Sequence, residues 1–355
     1  MIRFFSALLL LLVATTADAQ QRSDFVSEAS SVVGTYVPAF GKNSPANQVE
    51  SANQFLDSLN KKQKSAVLHE LDSPERRQWT NLPAPADAGG LRLGLMDKKQ
   101  VRAACDLMAT LFSEQGYKKM CDIMLADDQL LKGGRPRRGF GTENFSLVVF
   151  GQPSTSQPWA FQLDGHHVGV NVSMTGEAMT VAPSFIGTQP QSFTLAGKKY
   201  RPLTGEIDDA YQLAGSLTDA QAKQAILQPK RGFIRVGPGK DAEVPTAVGV
   251  PCSSFDNQQR KILTRLIGQW VNDLPTEQAK QRMAQLEKEI DQMQFAWNGP
   301  RQVGSDISYS IQGPSLIIEY ACQDLGGKPL QHLHSIYRDP TNEYGGQLDD
   351  NLSNK

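Results

Sequence analysis

The sequence predicts an α+β protein of two similar halves, each with capped helices followed by antiparallel β-hairpins. Three observations carry that expectation. First, a capping-box pattern occurs four times, at Asn60–Gln63, Asp97–Gln100, Thr218–Gln221 and Asp256–Gln259. In each, an N-cap acceptor is followed three residues on by a Gln that reaches back. Second, each pair of boxes is followed by runs that alternate like strands. Third, matching positions keep a similar separation: Gln63 to Gln221 is 158 residues, Gln100 to Gln259 is 159, Phe145-Ser146 to Tyr309-Ser310 is 164, Pro153 to Pro314 is 161 and His167 to His334 is 167. Halves related in this way commonly pack about a pseudo-twofold axis.

The 355 residues suffice for a substantial core. With 36 basic against 37 acidic residues, the chain lacks the basic excess of a nucleic-acid binder. The apolar fraction of 39% and charged fraction of 21% are those of a folded globule.

Residues 1–19 read as a signal peptide. Arg3 supplies the positive end, Ala7 to Ala14 is an unbroken apolar run, and Ala17-Asp18-Ala19 fits the small-x-small cleavage rule, so the mature chain is expected to start at Gln20. The apolar run is too short for a good membrane span, and no later stretch reaches that length. No cysteine follows it to carry a lipid anchor. The expectation is an exported protein of the periplasm or extracellular space without a transmembrane segment. The remaining organisation reads as a lead-in segment (20–52), a first α+β half (53–205), a second (206–346) and a polar tail (347–355).

An oxidising compartment permits disulfides among Cys105, Cys121, Cys252 and Cys322. Cys105 with Cys121 is the preferred local pair, because adjacent helices can bring them together. Four buried thiols are the other reading. None has the C-x-x-C spacing of a structural zinc site.

Within the lead-in, the sequence shows at most a short helix, and the first firm element starts at Asn60. The Pro- and Gly-rich stretch from Ser73 to Gly94 is a loop. Asp97 opens a helix with Val101, Ala104, Cys105, Met108, Leu111 and Phe112 at helical spacing, which Gly116 can end. A third helix covers 118–131. The basic loop 132–138 reads as a solvated turn. From Phe145 the texture becomes β, with strands at 145–150, 159–163, 168–172 and 178–181, then a hairpin over 193–200. Helices return at Thr218 and Asp256, separated by a Gly- and Pro-rich loop over 229–251, and a charged amphipathic helix spans 277–293. Strand texture resumes at 306, with turns at Gly313-Pro314-Ser315 and Gly326-Gly327.

Four of the five histidines form two pairs, His166-His167 after Gly165, and His332-Leu333-His334. In a strand, H-x-H puts both imidazoles on one face, where they can chelate a divalent or cuprous ion. Adjacent His166 and His167 diverge unless Gly165 bends the chain. Zinc and copper are the first choices, and an enzyme site adds a carboxylate or keeps an open position. Glu319 and Glu206 are candidate ligand-binding acids, with Arg338 and Asp339 as further polar candidates at a strand end. Structural histidines that hydrogen-bond carbonyls or carboxylates are the competing reading. Serine-nucleophile elbows, H-E-x-x-H, Walker loops and dinucleotide fingerprints are absent from the sequence.

Several segments together resemble domain-of-unknown-function family 3500. They are Trp159-Ala-Phe-Gln-Leu-Asp-Gly-His-His167, Pro183-Ser-Phe-Ile-Gly187, Ile318-Glu-Tyr320 and His332-Leu-His-Ser-Ile-Tyr-Arg-Asp-Pro340, with Arg77-Gln-Trp79 to Leu82-Pro83 and Phe295-Ala-Trp297 to Gly299 in support. The resemblance spans roughly residues 50–350. It implies that the histidine segments are family hallmarks and carries no activity.

The functional expectation is an exported metal-binding protein with the four paired histidines as its site, extending to a metal-dependent enzyme. The alternatives are a non-catalytic binding module for a small polar ligand and a metal carrier. Convergence of the two histidine pairs separates the first from the second. A saturated ligand set would mark a carrier.

Overall fold

The computed structural model describes residues 24–83, 89–132, 138–324 and 331–348. The signal-peptide reading, most of the 132–138 loop, the Gly326-Gly327 turn and the end of the tail lie outside the described residues.

The lead-in holds more structure than the sequence suggested. Ser27 caps α1 (Glu28–Thr35), and Ser44 caps α2 (Pro45–Ser58). Pro45 is tolerated at the first turn because that amide would have no helical partner. The polar composition of α2 obscures its apolar stripe, yet Ala52, Phe55 and Leu56 are buried.

The four capping boxes all form. Asn60 opens α3 (Lys61–Val67), which runs into β1 (Leu68–His69). After β2 (Leu91–Arg92), Asp97 opens α4 (Lys98–Leu111). The next helix starts earlier than expected: Ser113 caps α5 (Glu114–Gln129), so Gly116 lies inside a helix rather than ending one. A Cβ there would stand 2.6 Å from the Asp273 carbonyl oxygen, so glycine permits close packing against that segment.

The next strands are β3 (Ser146–Phe150), β4 (Trp159–Gly165), β5 (Val168–Thr175), β6 (Ala178–Thr180) and β7 (Ser184–Thr188), then the separate hairpin β8 (Phe193–Leu195) and β9 (Lys198–Tyr200). A helix absent from the sequence reading, α6 (Thr204–Ser216), precedes α7 (Asp219–Ala225), β10 (Ile226–Gln228) and β11 (Val250–Pro251). Then come α8 (Asn257–Val271), α9 (Thr276–Glu289), β12 (Gln294–Asn298), β13 (Ser308–Gly313), β14 (Leu316–Cys322) and β15 (Leu333–Arg338).

One sheet spans both parts of the chain in the order β1-β3-β4-β5-β7-β15-β14-β13-β12-β10, with β2, β6 and β11 attached to β3, β5 and β12. In chain order both runs pass from edge to centre, β1 to β7 and then β10 to β15. The two end pairs, β1–β3 and β10–β12, are parallel, and the other ladders are antiparallel. This order corrects the strand matches drawn from sequence. Ser146 lies on β3, beside β1, whereas Ser310 lies on β13, one strand further from its edge than β12.

Period-2 alternation sorts the sheet into two faces. Val168, Val170 and Val172 of β5, Leu316, Ile318 and Tyr320 of β14, and Leu333 and Tyr337 of β15 join the main core with the helices. The opposite face carries Phe185, Ile317 and Ile336, covered by Trp79, Val236 and Tyr344 from loops. All four cysteines are buried free thiols, which overturns the preferred Cys105–Cys121 bridge. Burial pushes the thiols of Cys105 and Cys121 up, with the Tyr117 phenol against both.

The capping glutamines also join helices to each other. Gln221 and Gln259 exchange side-chain amide hydrogen bonds of 3.0 and 2.8 Å, and Gln259 Nε2 also donates to the Ser216 carbonyl at 2.8 Å. Gln63 and Gln100 do the same at 3.0 Å each way, with Gln100 donating to Ser58 O at 2.8 Å. Each amide therefore caps its own helix and clasps the neighbouring one. Gln259→Ala strips partners from buried groups and should cost about 1–3 kcal/mol. A urea titration should show a lower midpoint with an unchanged slope, and a Gln221→Ala/Gln259→Ala double-mutant cycle should show coupling.

Candidate metal centre

The β4–β5 hairpin turns at His166-His167, and backbone geometry places the two rings. His167 takes a positive φ of 69°, uncommon for a residue with a side chain. Its amide donates to Asn81 O at 3.1 Å, and its carbonyl accepts from Gly187 N at 2.7 Å. The turn is thus pinned to β7. On the other side of β7, Gly187 pairs with His334 of β15. His167 in the turn before β5, Gly187 of β7 and His334 of β15 therefore lie in one row. A Cβ on Gly187 would stand 2.7 Å from the Leu333 carbonyl oxygen, 3.0 Å from the His334 ring and 3.1 Å from the His167 ring. The missing side chain is the space the imidazoles use.

His332 follows at period 2 from His334 and shares its face. Its carbonyl accepts from Gln323 N at 2.7 Å, which closes the end of the β14–β15 ladder. The Nε2 of His332 lies 2.8 Å from His167 Nε2 and 2.9 Å from His334 Nε2. A ring nitrogen carries either one hydrogen or one in-plane lone pair, so it makes one linear hydrogen bond, not two. One of these contacts therefore lacks a good hydrogen bond, and a shared cation would satisfy both.

Burial disfavours protonation as the alternative. It depresses His167 well below the ordinary imidazole value, with the neighbouring histidines adding to the effect, and takes His334 from 6.5 to about 3. At neutral pH these rings are held in the neutral form that binds metals.

His166 points elsewhere. Its Nδ1 is 2.5 Å from Asp127 Oδ1, and its ring lies against His167, tilted by 31°, with centroids 3.7 Å apart. Phe140 packs edge-on at 4.5 Å. Asp127 is held at the end of α5 and accepts the Gly141 amide at 2.6 Å. Burial pushes neighbouring Asp128 up to about 7. Two groups of potential ligands result, His167–His332–His334 and Asp127–His166–His167, each with its ligand atoms within 4.8 Å of one another. His167 belongs to both.

The four polar candidates stand apart from these groups. Glu206 pairs with buried Lys119 at 2.8 Å, and Asp273 holds the same ammonium at 2.9 Å. Glu319 pairs with Arg235 at 2.7 Å. Arg338, only 1% exposed, donates to the carbonyls of Lys240 and Glu243 and pairs with Glu343. Asp339 binds Arg282 at 3.0 Å. Each is engaged in holding segments together.

Asp127 was missed in the sequence, although a signal existed. Asp127-Asp128 places two carboxylates in the last turn of a helix, where the macrodipole disfavours negative charge. Such placement needs a compensating partner.

The family model described as "Protein of unknown function (DUF3500)" matches residues 42–346. The chain belongs to this family. No curated protein and no solved structure matches it. Both histidine groups of this DUF3500 chain lie inside the matched segment.

The depressed histidine has a stability consequence. The unfolded chain takes up a proton near pH 6.5, whereas folded His334 does so only near 3. Stability is therefore full above about pH 6.5 and falls as pH drops toward about 3. NMR of ring-labelled, metal-free protein at pH 5 should show His334 neutral. A protonated ring at that pH would contradict the assignment.

Proposed function

We propose that this protein binds a transition metal ion through the Nε2 atoms of His167, His332 and His334, and that the ion keeps an open position for water or substrate. The single observation behind this reading is the pair of 2.8 and 2.9 Å contacts that His332 Nε2 makes with two other imidazoles. Three imidazole nitrogens with no thiolate among them suit zinc or copper best. Tetrahedral ligands at ~2.0–2.1 Å stand about 3.3 Å apart, so the rings need to spread by about half an ångström.

A three-imidazole set leaves a fourth position, the pattern of catalytic rather than closed structural zinc sites. The Asp127–His166 pair, whose imidazole packs against His167, is the neighbouring group with the chemistry of a proton acceptor. This supports a metal-dependent enzyme over a carrier with a saturated ligand set. A metal-free binding module draws less support, because Arg338 and Glu319 are committed to protein partners.

Elemental analysis of untagged protein after zinc loading and dialysis should give one ion per chain. His332→Ala should weaken binding by at least about a hundredfold, since it removes one of three ligands. No retained zinc or copper in the wild type would remove the reading. Gly187→Ala should also weaken binding, because its Cβ would press on the Leu333 carbonyl at 2.7 Å and crowd the His334 and His167 rings at 3.0 and 3.1 Å.

We further infer two similar halves and export. The edge-to-centre order shared by the two runs of strands and the paired glutamine clasps support the first. The sequence pattern of residues 1–19 supports the second, and mass spectrometry of secreted protein should find Gln20 as its first residue.

A further inference from the structure

On the sheet face away from the main helical core, the late strands carry small side chains in register. Ala296, Ser310 and Glu319 form one row across β12, β13 and β14, and Ser308 begins the next. The loop after β10 is pinned over them: Gly232 N donates to Ser308 Oγ at 2.7 Å, and Arg235 N donates to Glu319 Oε2 at 2.6 Å. Small residues below and an anchored loop above leave a cavity of about 290 Å³. At ~30 Å³ each, that is room for on the order of ten waters.

Two features describe what would fit. Arg235 gives its Nε to Glu319 Oε1 at 2.7 Å, which fixes the guanidinium plane. Its two terminal nitrogens have no protein partner among the described residues, and the side chain is 46% exposed. The Ser310 hydroxyl, in the same cavity, is likewise unpartnered. The rim is apolar and open, with Phe233 64%, Leu227 41% and Val248 37% exposed.

We propose that this cavity binds a small organic carboxylate with an apolar body. A fixed guanidinium presenting two parallel N–H groups matches a carboxylate bidentately. Cations are disfavoured, because both Glu319 oxygens already accept from Arg235 or the backbone. Bare inorganic anions gain little, because Glu319 neutralises the arginine and they leave the apolar rim uncovered.

Benzoate is the probe. Titrated into full-length protein and followed by amide NMR, it should bind saturably in the millimolar range or tighter, shifting signals from residues 232–236 and 308–310. Benzyl alcohol and phosphate should bind about tenfold more weakly or less. Arg235→Lys preserves a cation for Glu319 but removes the fork, and should weaken benzoate by about tenfold or more. Ser310→Ala should weaken it several-fold, and His334→Ala should leave it unchanged. Absence of saturable benzoate binding, equal binding of benzyl alcohol, or indifference to Arg235→Lys in a folded variant would overturn the proposal.

Discussion

The antiparallel pairing of β7 with β15 is the constraint on which the rest depends. Five residue pairs, from Ser184–Tyr337 to Thr188–Leu333, join two runs of strands into one sheet. The same register sets Gly187 opposite His334, while the Gly187 amide holds the His167 carbonyl. Because strand side chains alternate, a slip of one residue would turn His332 and His334 to the other face. Fold and site thus share one registration.

Burial determines what the site can do. Imidazoles removed from water stay neutral, and neutral nitrogens crowded at hydrogen-bond distance are a poor arrangement without a cation. The Lys119–Glu206–Asp273 group shows the other way this protein handles buried charge, with one ammonium between two carboxylates. It sits at a junction of α5, α6 and the end of α8, where it joins helices. Among the histidines, His166 meets a carboxylate in Asp127.

Much of the local structure was legible in the sequence because its causes are local. Capping boxes announced four helices, alternation announced the hairpins, and the period-2 spacing of His332 and His334 placed them on one face. What stayed hidden depends on pairing between distant segments. Nothing near Gly187 reveals that two imidazoles fill its missing side chain. Asp127 reaches His166 only through the packing of α5 against the sheet. Glu206, Glu319 and Asp339 looked available in sequence, but their charges are met by Lys119, Arg235 and Arg282 from remote segments, and Arg338 is met by Glu343 just downstream and by the carbonyls of the distant Lys240 and Glu243. Residues 145–146 and 309–310 looked equivalent because short alternating runs resemble each other, and strand order alone tells them apart.

The central claim concerns which atoms surround an ion, so the most direct measurement is X-ray absorption spectroscopy of the zinc-loaded protein. Three imidazole nitrogens at ~2.0–2.1 Å, with one further light atom, are the predicted shell. A shell containing sulfur, or one made of oxygen with no imidazole signature, would contradict it.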